Sequence, residues 1–456
     1  MGFLNFNNIL LKNHQGGLKK HGTDTALSLI LNYLYINKEN NKISCVLQTD
    51  LSAAYDTIDH QILMKKFQFY GVEGDPLNIV KNYLSNRYQF VQIDTYSSSL
   101  MKSLDCSVIQ GSKLSSLLYI LYTNEIPNLH KFISDKNLQS CYNKLTKNKF
   151  KLLHDKITDN NFNHLTINFI DDSTNLISND NSYLLIDYLT VYYDLLQNYY
   201  DINKLTINPD KTELLVSCKN ILRADANKIK FQADIYLISQ NENTKILGFI
   251  INNKLNHDKH INTIISKINL RLHTINIISR YMNNKIKIMV TNSLVISIIK
   301  YVLPLLININ KKQLNIINVL INKAARNAIG YHSYWWSNDK ILKYCNWLNG
   351  THSIYYTSLV FVHKINFEML PEFLVENIIF NKKVKNTRYT KSPVSNINKS
   401  KSSITGNSLL FKGILLYNKL DPRYKVLNIS KFKKEIKSYI KEKLPPDRIV
   451  GPSDYS

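Results

Sequence analysis

The chain has 456 residues, 44% of them hydrophobic, with 58 Lys and Arg against 34 Asp and Glu and a formal charge of +24. That length and apolar content argue against a disordered chain and allow two or three domains around a large core. The charge points to a polyanionic partner or to a coding bias toward Asn, Lys and Ile, and five scattered cysteines at no zinc-ligand spacing argue against a disulfide framework or a zinc module.

No charged region followed by an apolar core and cleavage site opens the chain, so no secretory leader is expected. A short first segment runs into residues 13–27, which carry Gln15, Gly16, Lys19, Lys20 and Gly22. Thr23 or Asp24 is placed to cap a helix whose apolar face holds Ala26, Leu27, Leu29, Ile30 and Tyr33. Residues 43–50 read as an apolar strand that ends on Asp50. Asp59 is a candidate N-cap for a helix with the stripe Ile62, Leu63, Lys66, Phe67 and Tyr70, stopped at Gly71. Residues 83–87 lead into a strand through Phe90, Val91 and Ile93, and a turn at Gln110 opens a helix bearing Leu114, Leu117, Leu118, Leu121 and Tyr122. Residues 130–164, rich in Lys and Asn, read as a surface insertion, helical near 150–154.

Residues 168–177 read as strand, tight turn, strand, with Asp171 and Asp172 at the turn. An amphipathic helix over 183–200 and a turn and strand over 208–216 follow. Beyond residue 262 the pattern becomes helical: Ile264, Ile265, Ile268, Leu272, Ile275 and Ile278 mark one helix, and residues 314–329 another, with Arg326 near its C-terminal end. The most apolar run, 289–307, holds Asn292, Lys300 and Pro304, so a buried helix pair is expected there and no membrane span. Trp335, Trp336 and Trp347 come next, and residues 381–407 read as a basic linker before a last unit that frays over 445–456. Asp50 and Asp171 both stand at strand ends. Side by side, they would hold a pair of hard divalent cations about 3.5–4 Å apart, the arrangement used for in-line attack on phosphate.

Four strings in order carry a resemblance: Asp50-Leu51-Ser52-Ala53-Ala54-Tyr55-Asp56, Gln110-Gly111-Ser112-Lys113-Leu114-Ser115, Phe169-Ile170-Asp171-Asp172 and Asn208-Pro209-Asp210-Lys211-Thr212. Together they resemble the palm motifs of a reverse transcriptase, and the best match is the non-LTR (LINE-type) retrotransposon branch. The resemblance implies an α+β fold: a right-hand palm, an antiparallel sheet flanked by helices, with partial fingers, a helical thumb and a C-terminal helical tail. The expected divisions are partial fingers 1–40, palm 41–262 with the 130–164 insertion and a primer-grip-like hairpin 244–256, thumb 263–380, linker 381–407 and tail 408–456. Two departures stand out. Ser116 and Ile109 occupy places where the family usually has proline. The chain also begins almost at Gln15 and shows no endonuclease, so a truncated element, a split gene or a partner chain supplying fingers or endonuclease is expected.

The implied activity is RNA-directed DNA synthesis from a primer 3′-hydroxyl, with an RNA template, a DNA primer and dNTPs as partners and two Mg²⁺ ions, replaceable by Mn²⁺, as cofactor. Asp50 and Asp171, with Asp172 in support and the Leu51 carbonyl, would hold the metals. Lys211 would neutralise or protonate the leaving pyrophosphate, or it is a solvated lysine after Pro209-Asp210. Tyr55 would lie under the incoming sugar and exclude a 2′-hydroxyl, or it is a half-buried core tyrosine. Gln110, Gly111 and Ser112 would flank the nascent base pair, or they form an ordinary helix-entry turn. Lys19 and Lys20 would face template and triphosphate, or they sit in a solvated loop. Leu247 and Gly248 belong to the implied primer grip. The rival functions are an RNA-directed RNA polymerase, whose members commonly have glycine where Ile170 stands, and a catalytically impaired remnant that binds RNA. A nuclear or cytoplasmic location is expected.

Overall fold

The computed structural model describes residues 4, 7, 9–90, 92–97, 102–103, 105–112, 114–134, 162–219, 230–233, 236–301, 303–330, 335–371, 374 and 408–443. Most of the 130–164 insertion, the 381–407 linker, Lys113 and residues 445–456 lie outside the described residues. The chain divides into two compact units, Met1–Gly22 with Asn41–Glu242, and Thr23–Asn40 with Asn243–Ser456. The helix α1 (Thr23–Glu39), expected among partial fingers, and the 244–256 hairpin, expected with the palm, both fall in the second unit. The reason is visible in α1, which is buried on nearly every side from Thr25 to Tyr35. A helix apolar all round packs inside other elements, and α1 meets Leu303–Leu306 and Leu409–Gly413.

The first unit is α+β. Its sheet is built from β1 (Ile43–Leu51), β2 (Asn163–Phe169), β3 (Asp172–Asn179), β4 (Ile207–Ser217), β5 (Lys230–Ala233) and β6 (Tyr236–Asn241). Their spatial order is β2-β3-β1-β4-β6-β5, antiparallel except for the β4–β6 pair. Alternation of Val46, Leu47, Leu176, Ile177, Leu214 and Leu215 with polar neighbours does not describe the centre, because both faces of β1 are covered and its first five residues are all buried. Helix α2 (His60–Phe69) starts at Asp59, whose side chain accepts from Ile62 N at 2.9 Å, as the sequence predicts. Helices α3 (Asp75–Leu84), α4 (Ser115–Tyr122) and α5 (Ser182–Ile202) complete the unit. Leu63, Phe67, Leu118, Tyr119, Tyr122, Leu189, Tyr192, Leu196 and Tyr200 share one core with the sheet. The strand expected through Phe90 and Ile93 is instead two short ladders, Tyr88–Gln89 with Lys102–Ser103 and Gln92–Ile93 with Tyr96–Ser97.

In the second unit, β7 (Asn243–Ile246) and β8 (Phe249–Asn252) form a hairpin ahead of helices α6 (Asp258–Ile278), α7 (Asn284–Thr291), α8 (Lys311–Ile329), α9 (Asn338–Cys345), α10 (Gly350–Asn366) and α11 (Ile429–Lys443). Asn310 and Gln313 make a capping box that fixes the start of α8. The 289–307 run is helical but broken, with a π-helical stretch at Asn292–Ile296 and a 3₁₀ turn at Leu303–Leu306. Met289 and Leu294 are exposed, so the run is buried on one side only. No described helix is long and apolar enough to cross a membrane.

Buried histidines make the fold acid-sensitive. Burial pushes His14, His257, His260 and His363 down to about 4. His363 stacks on Phe432 at 3.7 Å and contacts Tyr417 Oη and the Leu427 carbonyl, each at 2.9 Å. Between about 4 and the unfolded value of about 6.5, the unfolded chain binds more protons than the folded one. Stability is therefore full above about 6.5 and falls as pH drops toward 4, by up to about 3 kcal/mol per histidine. Urea unfolding at pH 7.5 and pH 5.0 should show the lower midpoint at pH 5.0; equal midpoints would contradict the burial of these rings.

Candidate active site

The acidic residues come together at one end of the first unit's sheet. The β1–β3 register pairs Thr49 with Ser173, so the next residue, Asp50, stands across from Asp172. On its other side β1 pairs with β4 through a register shift between Gln48 and Asp50, after which Asp50 faces Asn208. Such an irregularity twists a strand end and re-aims its side chains. Strands β2 and β3 pair Phe169 with Asp172, which leaves Ile170 and Asp171 as the two-residue turn. Ile170 holds a φ of 59°, a left-handed value, at the first turn position. Hairpin turns ask for that value, but in a β-branched residue it costs strain of order 1–3 kcal/mol.

The turn is held from a direction that local sequence patterns do not reveal. His14 bridges to Asn168 in parallel, Gln15 N donates to the Asn168 carbonyl at 2.7 Å, and Asn168 N donates to the Asn13 carbonyl at 3.2 Å. Gly16 then passes so close that a Cβ there would lie 2.6 Å from Ile170 Cγ1 and 2.8 Å from Ile170 N. The signal in the sequence is the Gly16-Gly17 pair, but which strand it approaches is not local information. Behind the turn lies a buried polar network. Ser173 Oγ donates to Asn168 Oδ1 at 3.0 Å, while Thr166 Oγ1 and Tyr192 Oη donate to Asn175 Oδ1 at 2.8 and 2.7 Å. Such networks specify one arrangement when every member is satisfied. Gly16→Ala should lower stability by about 1–3 kcal/mol, because a backbone nitrogen cannot swing aside as a flexible side chain can. Thermal unfolding of that variant checks the close approach; an unchanged midpoint would refute it.

The electrostatics follow from the crowding. Asp172 is pushed up to about 6, by burial first, then by the charges of Asp171 and Asp50. Oδ2 of Asp50 is buried and accepts no hydrogen bond of good geometry, although Lys211 Nζ lies 3.1 Å away as an ionic contact. Half-buried Tyr55 stacks on Tyr119 at 5.3 Å between ring centroids. Burial raises the Tyr55 phenol, a hydrogen bond with Ser116 opposes that, and the Asp171 charge adds to it. Ser116 thus borders the same space, a position whose only mark in the sequence is that it is not proline.

The remaining candidates are placed as follows. Gln110 and Gly111 lie on an exposed turn, Gly111 at φ 86°, and Ser112 Oγ accepts from Tyr83 Oη at 2.9 Å ahead of α4. Lys19 and Lys20 are exposed, Lys20 with φ 72°, on a loop whose Gly17 faces Ile120 and Ser116. Leu51 ends β1 opposite Ile207. Leu247 and Gly248, in the second unit, form the β7–β8 turn with φ of 47° and 80°, the signs of a type I′ turn, and Tyr301 Oη donates to the Leu247 carbonyl at 2.5 Å.

For a divalent cation the donors are right in kind, hard carboxylate oxygens with one buried oxygen lacking a hydrogen bond and mutual repulsion that a cation would relieve. Among the described residues, though, no group of three or more His, Cys, Asp or Glu is arranged closely enough to hold a metal ion. Lys211 on Asp50 partly fills that electrostatic role.

An α+β unit with carboxylates gathered at the end of an antiparallel sheet is the architecture expected of a reverse-transcriptase palm. Residues 7–251 match the family model described as reverse transcriptase (RNA-dependent DNA polymerase), and with more than half its length matched the chain belongs to that family. A search of the curated proteins found no match. Among solved structures, the chain is similar to a telomerase from Candida albicans in complex with a TWJ fragment of telomeric RNA, at 14% identity and a TM-score of 0.34. That likeness covers 76% of this chain and spans 57% of the telomerase chain.

Proposed function

We propose that this chain is an RNA-directed DNA polymerase that extends a primer 3′-hydroxyl with dNTPs on an RNA template, and that it is of the non-LTR (LINE-type) branch. The observation that carries the reading is the meeting of Asp50, Asp171 and Asp172 at one sheet end, where burial first and then the charges of Asp171 and Asp50 raise the pKa of Asp172. Asp50 and Asp171, with the Leu51 carbonyl, would hold divalent cations, Mg²⁺ or Mn²⁺ in its place. Such ions supply a deprotonated hydroxyl nucleophile and stabilise charge on the transferring phosphate. Asp172 supports the neighbouring carboxylates, and its raised pKa favours its protonated form more than an ordinary carboxylate's would. Lys211, now against Asp50, would turn to the pyrophosphate once Asp50 is otherwise neutralised, as a mobile point charge can. Tyr55 provides a floor for the sugar, and Gln110, Gly111 and Ser112 the exposed backbone and hydroxyl beside the base. Lys19 and Lys20 reach the triphosphate from their exposed loop, and the Leu247–Gly248 turn supports the primer end.

The Lys211–Asp50 ion pair favours a second reading, in which the acidic site is neutralised internally and the chain binds RNA without copying it. Primer extension on poly(rA)–oligo(dT) with the full chain and Mg²⁺ decides between them. DNA product supports the polymerase; binding with no product under either Mg²⁺ or Mn²⁺ supports the RNA-binding remnant.

A further inference from the structure

The second unit carries a concentration of positive charge that the proposed chemistry does not use. Helix α11 buries Phe432, Ile436 and Ile440 and turns Lys437 and Lys441 to the adjacent face. Lys437 Nζ donates to the Asn346 carbonyl at 3.0 Å and to Asn346 Oδ1 at 3.1 Å, and Lys441 Nζ donates to the same Oδ1 at 2.9 Å. Asn346 caps α9 in a left-handed conformation, φ 55°, so its side chain is presented in a fixed direction. One amide oxygen therefore anchors two ammonium groups. Burial first, then the charges of Lys441 and Lys300, lower the affinity of Lys437 for a proton, and burial and then the charge of Lys343 do the same to Lys441. Four lysines from three separated stretches converge, and no carboxylate of the described residues forms an ion pair with them, Glu435 and Glu442 of α11 included. A solvated lysine face would spread its charges; here the backbone and amide oxygens of Asn346 hold Lys437 and Lys441 together, which favours an anion of several charges.

A second observation names the kind of anion. Along α9 and its entry, Trp336, Lys340 and Tyr344 recur at helical spacing on one face, one turn from Lys343. The Trp336 and Tyr344 rings are 5.4 Å apart, and Lys340 Nζ lies 4.6 Å over the Trp336 ring. Trp335 is 82% exposed and Tyr344 54%, where large aromatics ordinarily seek burial. Exposed rings beside clustered cations match what a single strand of nucleic acid requires, π faces for bases and ammonium groups for phosphates.

We propose that α9 and α11, with Lys300, form a binding site for single-stranded nucleic acid, with Lys343, Lys437 and Lys441 on the phosphates and Trp335, Trp336 and Tyr344 under the bases. None of these residues belongs to the acidic sheet end, and the proposal does not rest on the polymerase reading.

The test uses a convenience of this sequence, that its three tryptophans are Trp335, Trp336 and the buried Trp347, so tryptophan emission reports on this region alone. Titrating the full chain with a twelve-nucleotide oligo(U) should quench that emission. The apparent Kd should weaken at least about tenfold in K343Q/K437Q/K441Q, with the log–log salt slope reduced by about 0.7 for each phosphate no longer neutralised. The charge-matched K65Q/K81Q/K131Q variant, three exposed lysines of the first unit, should bind as the wild type does. Because Lys437 also ties α11 to α9, K343Q/W336A, which leaves that tie intact, is measured as well. It should weaken anisotropy-detected binding about tenfold while keeping the wild-type melting temperature. Absence of quenching, equal weakening in the charge-matched control, or quenching by phosphatidylserine vesicles but not by RNA would overturn the proposal, the last by assigning the patch to a membrane surface.

Discussion

Asp50→Asn should lower kcat for primer extension by at least about three orders of magnitude while leaving the affinity for primed template within about twofold of wild type. The substitution keeps the size of the side chain and its place opposite Asp172, but removes the charge that a divalent cation needs. Losing one well-placed electrostatic partner of a reacting phosphate or carbonyl already costs about 10²–10³ in rate, and if Asp50 is a metal ligand, as proposed, its loss would affect both nucleophile and leaving group. Template binding, by contrast, draws on cations spread over a chain of formal charge +24. The same variant should bring Asp172 back toward its ordinary value, since Asp50 is one of the charges raising it. Single-turnover extension, filter binding and thermal unfolding separate these effects. Extension close to wild type would remove Asp50 from the site.

Tyr55→Val should raise the rNTP-to-dNTP ratio of kcat/KM by about one to two orders of magnitude, a size set by what a pocket's discrimination of one small group is worth. Tyr55 stacks on Tyr119 and feels the charge of Asp171, so its ring borders the acidic sheet end while remaining half-buried. If the incoming sugar lies over that ring, as proposed, the ring would exclude a 2′-hydroxyl sterically, and Val would leave room for it. Packing makes a different forecast. If Tyr55 only fills the core, truncation costs about 3 kcal/mol or more in stability and lowers both activities together. Measuring the ratio alongside the melting temperature separates the two. An unchanged ratio with a lower melting temperature would return Tyr55 to the core and weaken the assignment of DNA as product.

Much of the fold is legible because its signals are local. Asp59 and the Gly71 stop bracket α2 as the sequence predicts, and the helix expected over 314–329 is α8, which the Asn310–Gln313 capping box opens one turn earlier. Each rests on a side chain meeting backbone groups within a few residues, or on a backbone angle that one residue adopts. The short ladders after Tyr88 are less legible, since strands of two residues leave too little alternation to read. Helix α1 is legible as a helix, but its place in the second unit is not. The apolar face expected for it wraps most of the way round, and a helix buried on all sides carries no direction toward a partner.

By itself, the sequence carried an apolar strand running to Asp50, a strand, turn and strand around Asp171 and Asp172, and, in order, the motifs that resemble a reverse transcriptase. Alternation, capping and turn chemistry carry that information because they act over a few residues. Only the tertiary structure decided which groups meet. It placed Asp50 across from Asp172, set Lys211 on Asp50, ran residues 13–16 beside Asn168 to brace the Ile170 turn, and drew Lys437 and Lys441 together on Asn346. These interactions join residues far apart in the chain. Their energies depend on register, burial and the distance between charges, which vary with the packing of the whole unit and not with any local run of residues.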